Sequence, residues 1–397
     1  MLFLLCSLTG YNVSIGQTII SPLRSSPYNR IKTAVPFLTI APDAASSAMG
    51  DAGAASIPDV HSQHWNAAKY AFQDKRAGVA ATLTPWQRSL IPGMYLMYAS
   101  GYYRINKKNG LSGSFRYFTL GTISFSSTPG GPLIYSYHPR EYAFDAGYNR
   151  RFTKRLAGSL LIRYIHSDLT ANMHTPGGDE TFPGRSLAMD LGLYFQDDFQ
   201  VREKNLLWAW GINFSNLGTP VAYNRDAEKT PIPSNLRIGT RVSLEINPNN
   251  KVSLVTDLNK LLVPTPPVIV YDTVTGEEII IRGKATPRSV PLGMIRSFYD
   301  APGILRKDGS YSVLAEELHE IMLGLGAEYR YRESLVVRSG YFHEHATKGN
   351  RKYFAAGAGF SLGIFAVDVS YLLPVNEQNS ELQHTIRITF SSTFGTI

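Results

Sequence analysis

Gly359-Phe360-Ser361-Leu362-Gly363 spells a nucleophile-elbow motif, and Asp368 and His384 follow it in the order of a hydrolase triad. In such a site the serine hydroxyl attacks an acyl carbon while the histidine takes its proton. That chemistry needs a strand, a sharp turn and then a helix. From Phe365 to Tyr371, however, apolar and polar residues alternate as in another strand, so the spelling is read as a glycine-rich barrel turn. No catalytic residue is assigned. His61 with His64, and His343 with His345 on one strand face, could in principle hold a metal. Neither pair has a third ligand at a recognisable spacing, so hydrogen-bonded clusters are expected, with no metal and no cofactor. The single cysteine, Cys6, leaves the body of the chain without a disulfide or a thiolate metal site.

The elements that carry these residues alternate with a period of two, as do the strands expected at Met94 to Arg104, Leu111 to Phe125, Leu156 to Asp168 and Leu318 to Arg332. Leu206, Trp208, Trp210, Ile212 and Phe214 form one apolar face, set against Leu207, Ala209, Gly211, Asn213 and Ser215. After a loop, Leu236, Ile238, Thr240, Val242 and Leu244 repeat the pattern against Arg237, Gly239, Arg241, Ser243 and Glu245. A tight turn, Asn247-Pro248-Asn249-Asn250, then leads into Val252, Leu254, Thr256 and Leu258. A soluble sandwich would turn the charged face to water, whereas a membrane barrel turns the apolar face to lipid and the charges to a lumen.

Composition separates the two. The chain has 397 residues, a net charge of +8, 44% hydrophobic and 12% aromatic residues, 23 Tyr and 34 Gly, and no long uncharged apolar run beyond its start. Membrane helices are therefore excluded, while tyrosine girdles and alternation that hides in hydropathy averages fit an outer-membrane barrel. The fold class expected is all-β transmembrane: one barrel of about 14 antiparallel strands with a short helical N-terminal plug.

Tight and long connections alternate along the chain. Asn106 to Asn109, Arg151 to Lys154, Asn247 to Asn250 and Gly363-Ile364 are tight, and Ser126 to Arg140, Asn216 to Ser234 and Val263 to Glu317 are long. With a periplasmic N-terminus every tight turn falls on one end, as in outer-membrane barrels. Residues 1–16 read as a secretory signal that lacks a basic n-region, with cleavage before Gln17; residues 17–76 as the plug; and residues 77–397 as the barrel, with a long extracellular loop at 263–317. Asp43 and Asp59 look like helix caps, and Gly50 can end the first short helix.

Several long loops carry apolar groups that no lipid would cover: Trp86, Leu90 and Ile91; Leu133, Ile134 and Tyr135; Val268, Val270, Ile279 and Ile281. The last four suggest a protruding hairpin with a free edge for a partner strand. Loops folded over the barrel mouth would bury the same groups, so docking and capping both remain open. Arg237, Arg241, Glu245, Asp257, Glu328, Arg330, Asp368 and Arg387 could form a salt-linked lumen. No motif supports nucleic-acid binding.

The stretches Phe37 to Ala44, Met49 to Gly53 and Gln63 to Phe72 resemble the N-terminal signature of the PorV (LptO) family, outer-membrane components of the type IX secretion system related to FadL-type barrels. Asn66-Ala67-Ala68 departs from the usual Asn-Pro-Ala. The plug residues Asp43, Met49, Gly50, Asp51, Trp65 and Asn66 lie in these stretches. The resemblance implies an outer-membrane shuttle, not an enzyme. It would collect secreted cargo proteins through their C-terminal signal domains from the type IX translocon and deliver them to a surface sortase/attachment complex, among outer-membrane lipid and lipopolysaccharide. The alternatives are a FadL-like transporter of hydrophobic small molecules and an outer-membrane lipopolysaccharide O-deacylase.

Overall fold

The computed structural model describes residues 29–86, 93–126, 133–170, 180–201, 203–272, 276–287, 289–375 and 385–396. The signal reading of residues 1–16, Leu90, Ile91 and His384 lie outside them, as do the side chains of Leu133 and Ile134.

Two short helices come first, α1 (Ala44–Ser47) and α2 (Ser62–Trp65), followed by strands. These are β1 (Lys75–Pro85), β2 (Met94–Arg104), β3 (Asn109–Leu120), the hairpin β4 (Ile123–Ser126) and β5 (Leu133–Tyr137), β6 (Arg140–Arg151), β7 (Leu156–Asp168), β8 (Gly184–Val201), β9 (Lys204–Gly218), β10 (Asn235–Asn247) and β11 (Asn250–Leu261). A long insertion holds β12 (Val268–Tyr271), β13 (Glu278–Arg282), α3 (Val290–Arg296), β14 (Ile304–Leu305), β15 (Tyr311–Ser312) and α4 (Val313–His319). The chain ends with β16 (Met322–Tyr331), β17 (Leu335–His343), β18 (Lys352–Leu362), β19 (Phe365–Pro374) and β20 (Ile386–Thr396).

Fourteen of these strands close into one antiparallel barrel, in the order β1-β2-β3-β6-β7-β8-β9-β10-β11-β16-β17-β18-β19-β20. The first and last strands complete the ring through pairs such as Ala81 with Phe390 and Leu83 with Ile388. Closure leaves no wall strand with an open edge, which is what lets a sheet stand in hydrocarbon.

The wall is inside out relative to a soluble sheet. In β8 Leu187, Met189, Leu191 and Leu193 are exposed, while Ser186, Ala188, Asp190 and Tyr194 are buried. Residue parity set this, because successive side chains leave a strand on opposite faces. Tyr103, Tyr148, Tyr329 and Tyr331, exposed near the tight-turn end, supply amphipathic rings at one rim. Two segments differ from the strands the sequence suggests. The segment from Leu111 to Phe125 leaves the wall at Leu120 and begins the β4–β5 hairpin, and Leu318 to Arg332 becomes strand only at Met322. Ahead of it, the Ser312 side chain caps α4 by accepting from the Ala315 N–H at 3.3 Å, so that turn is helical.

Candidate functional site

The lumen is filled by the segment from Ala34 to Ala71, which touches inward-facing residues on many sides of the wall. Asp43 caps α1, accepting from the Ser46 N–H at 2.8 Å, and its other oxygen takes the Trp65 indole at 2.5 Å. Asn66 Nδ2 donates to the Leu193 carbonyl at 2.7 Å and to that of Ala54 at 3.3 Å. Asp51 accepts from the Tyr353 hydroxyl at 2.6 Å. Four of the wall's ionised groups bind this segment's backbone. Asp257 accepts from the Gly53 and Ala54 N–H groups, both at 2.8 Å. Arg241 donates to the Ala55 carbonyl at 3.0 Å, Arg387 to that of Ala41 at 3.0 Å, and Arg116 to that of Leu38 at 2.8 Å.

Close approach is possible because the wall lacks side chains where the segment lies. A Cβ on Gly340 would stand 2.2 Å from Gly50 N, one on Gly326 2.4 Å from Met49 Cβ, and one on Gly211 2.1 Å from Ala54 O. Gly50 itself has φ +66 and lies against Tyr341 O, so it needs both the left-handed backbone and the missing side chain.

The salt-linked lumen differs from expectation in its membership. Glu328 holds Arg338 at 2.7 Å and Arg330 at 3.2 Å, Arg338 reaches Asp368 at 2.5 Å, and Arg237 stands 4.0 Å from Asp257. Arg241 and Arg387 instead serve carbonyls, and Glu245 pairs with Lys251 at the rim at 3.4 Å. A second cluster escaped the sequence reading: Arg163 binds Asp145 at 2.6 Å and Asp190 at 2.9 Å. Its signal was strand parity, since all three occupy the inward positions of β6, β7 and β8. The β8–β9 register shift sits there, with Asn216 at φ +57 donating to Asp190 at 2.7 Å.

Above the filled lumen, at the long-loop end, lies a cavity of about 1000 Å³, lined among others by Phe37, Trp65, Phe118, Phe342, Arg351 and Arg387. The insertion between β11 and β16 stands over this end. It is bolted down by Lys260, 2.6 Å from Glu320 and 2.9 Å from Glu317, and by Lys348, 2.7 Å from Glu316 and 2.9 Å from Glu320. Nearby, burial and the Glu317 and Glu320 charges raise the Asp300 carboxyl to about 6. His319 and His345 stack with centroids 3.4 Å apart, and burial lowers both imidazoles.

The apolar loop residues divide. Ile279 and Ile281 are exposed at 50% and 52%, beside Tyr271 and Ile280, and Tyr135 is also exposed. Val268 is half-buried. Trp86 and Val270 are at 8%, a correction to their reading as outward contacts: Trp86 packs in the cluster with Phe37 and Leu38. The hairpin β12–β13 pairs Val270 with Ile279 and Tyr271 with Glu278, and no third strand joins it among the described residues.

The two candidate chemical sites each have a local geometry. After Ser361 the chain makes a turn, with Gly363 at φ +63, and enters β19, so there is no strand-turn-helix elbow. Ser361, Asp368 and His61 do line a second cavity of about 220 Å³ at the tight-turn end, but Asp368 is held by Arg338. The strand β17 ends at His343, so His343 and His345 do not share a strand face, and Glu344 between them binds Arg351 at 2.8 Å. His64 Nδ1 is engaged by Arg116 at 2.8 Å. Among the described residues no group of three or more His, Cys, Asp or Glu could hold a metal ion.

A closed fourteen-strand wall, apolar outside and filled with an inner segment hydrogen-bonded to it, defines an outer-membrane-type β-barrel. The family model "Type IX secretion system protein PorV" matches residues 24–268, more than half the chain, and the protein belongs to that family. Among solved structures it is similar to the Pseudomonas putida toluene transporter TodX (10% identity, 89% of this chain and 98% of that one, TM-score 0.49). It is also similar to the Ralstonia pickettii toluene transporter TbuX (11%, 89% and 98%, 0.45) and to a Pseudomonas aeruginosa FadL homologue (11%, 92% and 100%, 0.41). At these values the likeness says nothing of substrate, and the architecture rests on the strand pairing itself. No curated protein matches the chain.

Proposed function

We propose that this barrel sits in the bacterial outer membrane with its long loops outside. There it takes cargo proteins bearing a C-terminal signal domain from the type IX translocon and passes them to the cell-surface sortase/attachment complex. Family membership supports the secretion role. The observation that carries the docking step is the β12–β13 hairpin: two strands whose outer edges are free among the described residues, exposing Tyr271, Ile279, Ile280 and Ile281 at the long-loop end. A β-sandwich cargo domain can add a strand to such an edge, and exposed apolar clusters mark contact surfaces. Ile279, Ile281, Val268 and Tyr135 are the contacts proposed among the described residues, and Leu90, Ile91, Leu133 and Ile134 are proposed with them from the sequence alone. Residues 17–76 act as a plug, and the protein is not an enzyme.

Affinity capture from detergent-solubilised membranes tests this. Secreted proteins with an uncleaved C-terminal domain should co-purify, and Ile279→Asp with Ile281→Asp should cut their recovery about tenfold, the loss of roughly 1.4 kcal/mol. Recovery of lipid alone would overturn the proposal. The roomy cavity favours a second reading, a FadL-like transporter, but the plug beneath it leaves that reading the weaker one.

A further inference from the structure

Cations gather on one arc of the tight-turn end. The start of β1 carries Lys75 and Arg76, the β2–β3 turn Lys107 and Lys108, and the β6–β7 turn with its flank Arg150 and Lys154. In the wall β1, β2, β3, β6 and β7 are consecutive, so these groups are neighbours. The two turns touch: the Arg151 N–H donates to the Lys108 carbonyl at 2.7 Å, and the Tyr148 hydroxyl to Asn109 Oδ1 at 2.6 Å. The Arg76 guanidinium lies 5.4 Å from the centre of the Tyr103 ring, which ties β1 to the same arc. All six side chains are exposed, and none has a carboxylate within ion-pair distance among the described residues. Across these segments the acid present is Asp74, and Arg155 beyond them is neutralised by Asp197 at 2.7 Å.

The next part of the same rim has the opposite balance. At the β8–β9 and β10–β11 turns the described residues include Asp197, Asp198, Glu203 and Glu245 against Lys204 and Lys251. Parity places part of the basic arc on the lipid-facing side of the wall. Val79 in β1 and Phe144 in β6 are exposed there, and the same faces continue to Lys75 and, past Tyr148, to Arg150. Apolar residues, a tyrosine and then an arginine follow the order of a hydrocarbon core, its interface and a layer of phosphates. An acidic protein would meet the turns from the aqueous side, whereas Lys75 and Arg150 belong to the outer face of the strands. That placement favours lipid.

We propose that this arc binds the headgroups of anionic phospholipids, of the phosphatidylglycerol type, in the leaflet at the tight-turn end. Its ammonium and guanidinium groups have donors that no protein carboxylate occupies, and a phosphodiester without a compensating amine brings the missing charge. The lipid around the barrel is then uneven, anionic beside β1 to β7 and zwitterionic beside β8 to β11. The inference concerns the tight-turn end alone, and stands or falls independently of cargo docking and of the compartment that this end faces.

The test uses the full-length protein, purified in neutral detergent and stripped of lipid, with two probes that share one fluorescent acyl chain, a phosphatidylglycerol and a phosphatidylcholine. Binding is followed by fluorescence polarisation. At low salt the phosphatidylglycerol should bind about tenfold more tightly, the effect of one or two basic side chains at a lipid surface, and the ratio should shrink at high salt. Replacing four of the cations together, Lys107→Gln, Lys108→Gln, Arg150→Gln and Lys154→Gln, should abolish the preference. Lys204→Gln with Lys251→Gln, at the acidic part of the rim, should leave it intact. Should the fourfold variant lose the heat-modifiable gel shift of a folded barrel, Lys107→Gln with Lys108→Gln replaces it, and a reduced preference is expected. Equal binding of the two lipids, or a preference that survives undiminished in the folded variant, overturns the proposal. If a labelled poly-glutamate peptide alone loses affinity in that variant, the arc is a protein contact and the proposal falls.

Discussion

Asp257 is fully buried and accepts two plug N–H groups, so its carboxylate is worth more to the fold than any pair at the rim. Asp257→Ala should destabilise the barrel by about 2 kcal/mol, because both donors lose their acceptor. Glu245→Ala, which removes an exposed pair with Lys251, should change it by less than about 0.5 kcal/mol; thermal unfolding followed by gel mobility separates the two. The stacked His319 and His345 give a pH dependence. Both imidazoles are lowered from 6.5, so the folded state binds fewer protons than the unfolded one. The stability they contribute is present above pH 6.5 and is lost as pH falls through the unfolded value toward the lowered ones. Asp300, raised to about 6, acts oppositely: its folded state binds more protons, and its unfavourable contribution shrinks as pH falls through about 6 and is gone below the unfolded value of 3.8. Amide exchange in α4, corrected for intrinsic rate, should therefore rise less on acidification in a His319→Gln variant than in the native protein. Such partners were not legible in the sequence, because His319 and His345 lie on opposite sides of β16 and β17 along the chain.

Elements were far easier to read than their contacts. Strand β2 was predicted at Met94 to Arg104 and β7 at Leu156 to Asp168, and the structure has the same bounds. Alternation over many residues is set by parity alone and needs no tertiary information. Short apolar stretches next to long loops were misread, at Phe125 and at Leu318, because there local capping and hairpin pairing compete with the wall. Glycine seats belong to this scale too. Gly340→Ala places a Cβ against Gly50 N, which must displace the plug; we expect a loss of about 1–3 kcal/mol, as for other overpacked interiors, measurable in the same unfolding assay.

In the whole molecule the segment from Ala34 to Ala71 occupies the lumen between the two cavities. The native protein should show little ion conductance in a planar bilayer. Combining Asp257→Ala with Arg241→Ala, which frees Gly53, Ala54 and Ala55 from the wall, should raise it. Unchanged conductance in the folded double variant would mean that the remaining contacts of Asn66, Arg116 and Arg387 suffice to hold the plug.

What the chain determined by itself was the barrel: parity assigns each residue to lipid or lumen, and the alternation of tight and long connections assigns each strand an end. Those are short-range properties, readable one strand at a time. Only the tertiary structure decided that β1 meets β20, that Arg116, Arg241 and Arg387 bind plug carbonyls while Arg163 and Arg338 bind carboxylates, and that Trp86 turns inward while Ile279 stays out. Each of these joins residues from strands or loops far apart in sequence, and ring closure, which no local pattern encodes, is what brings them together.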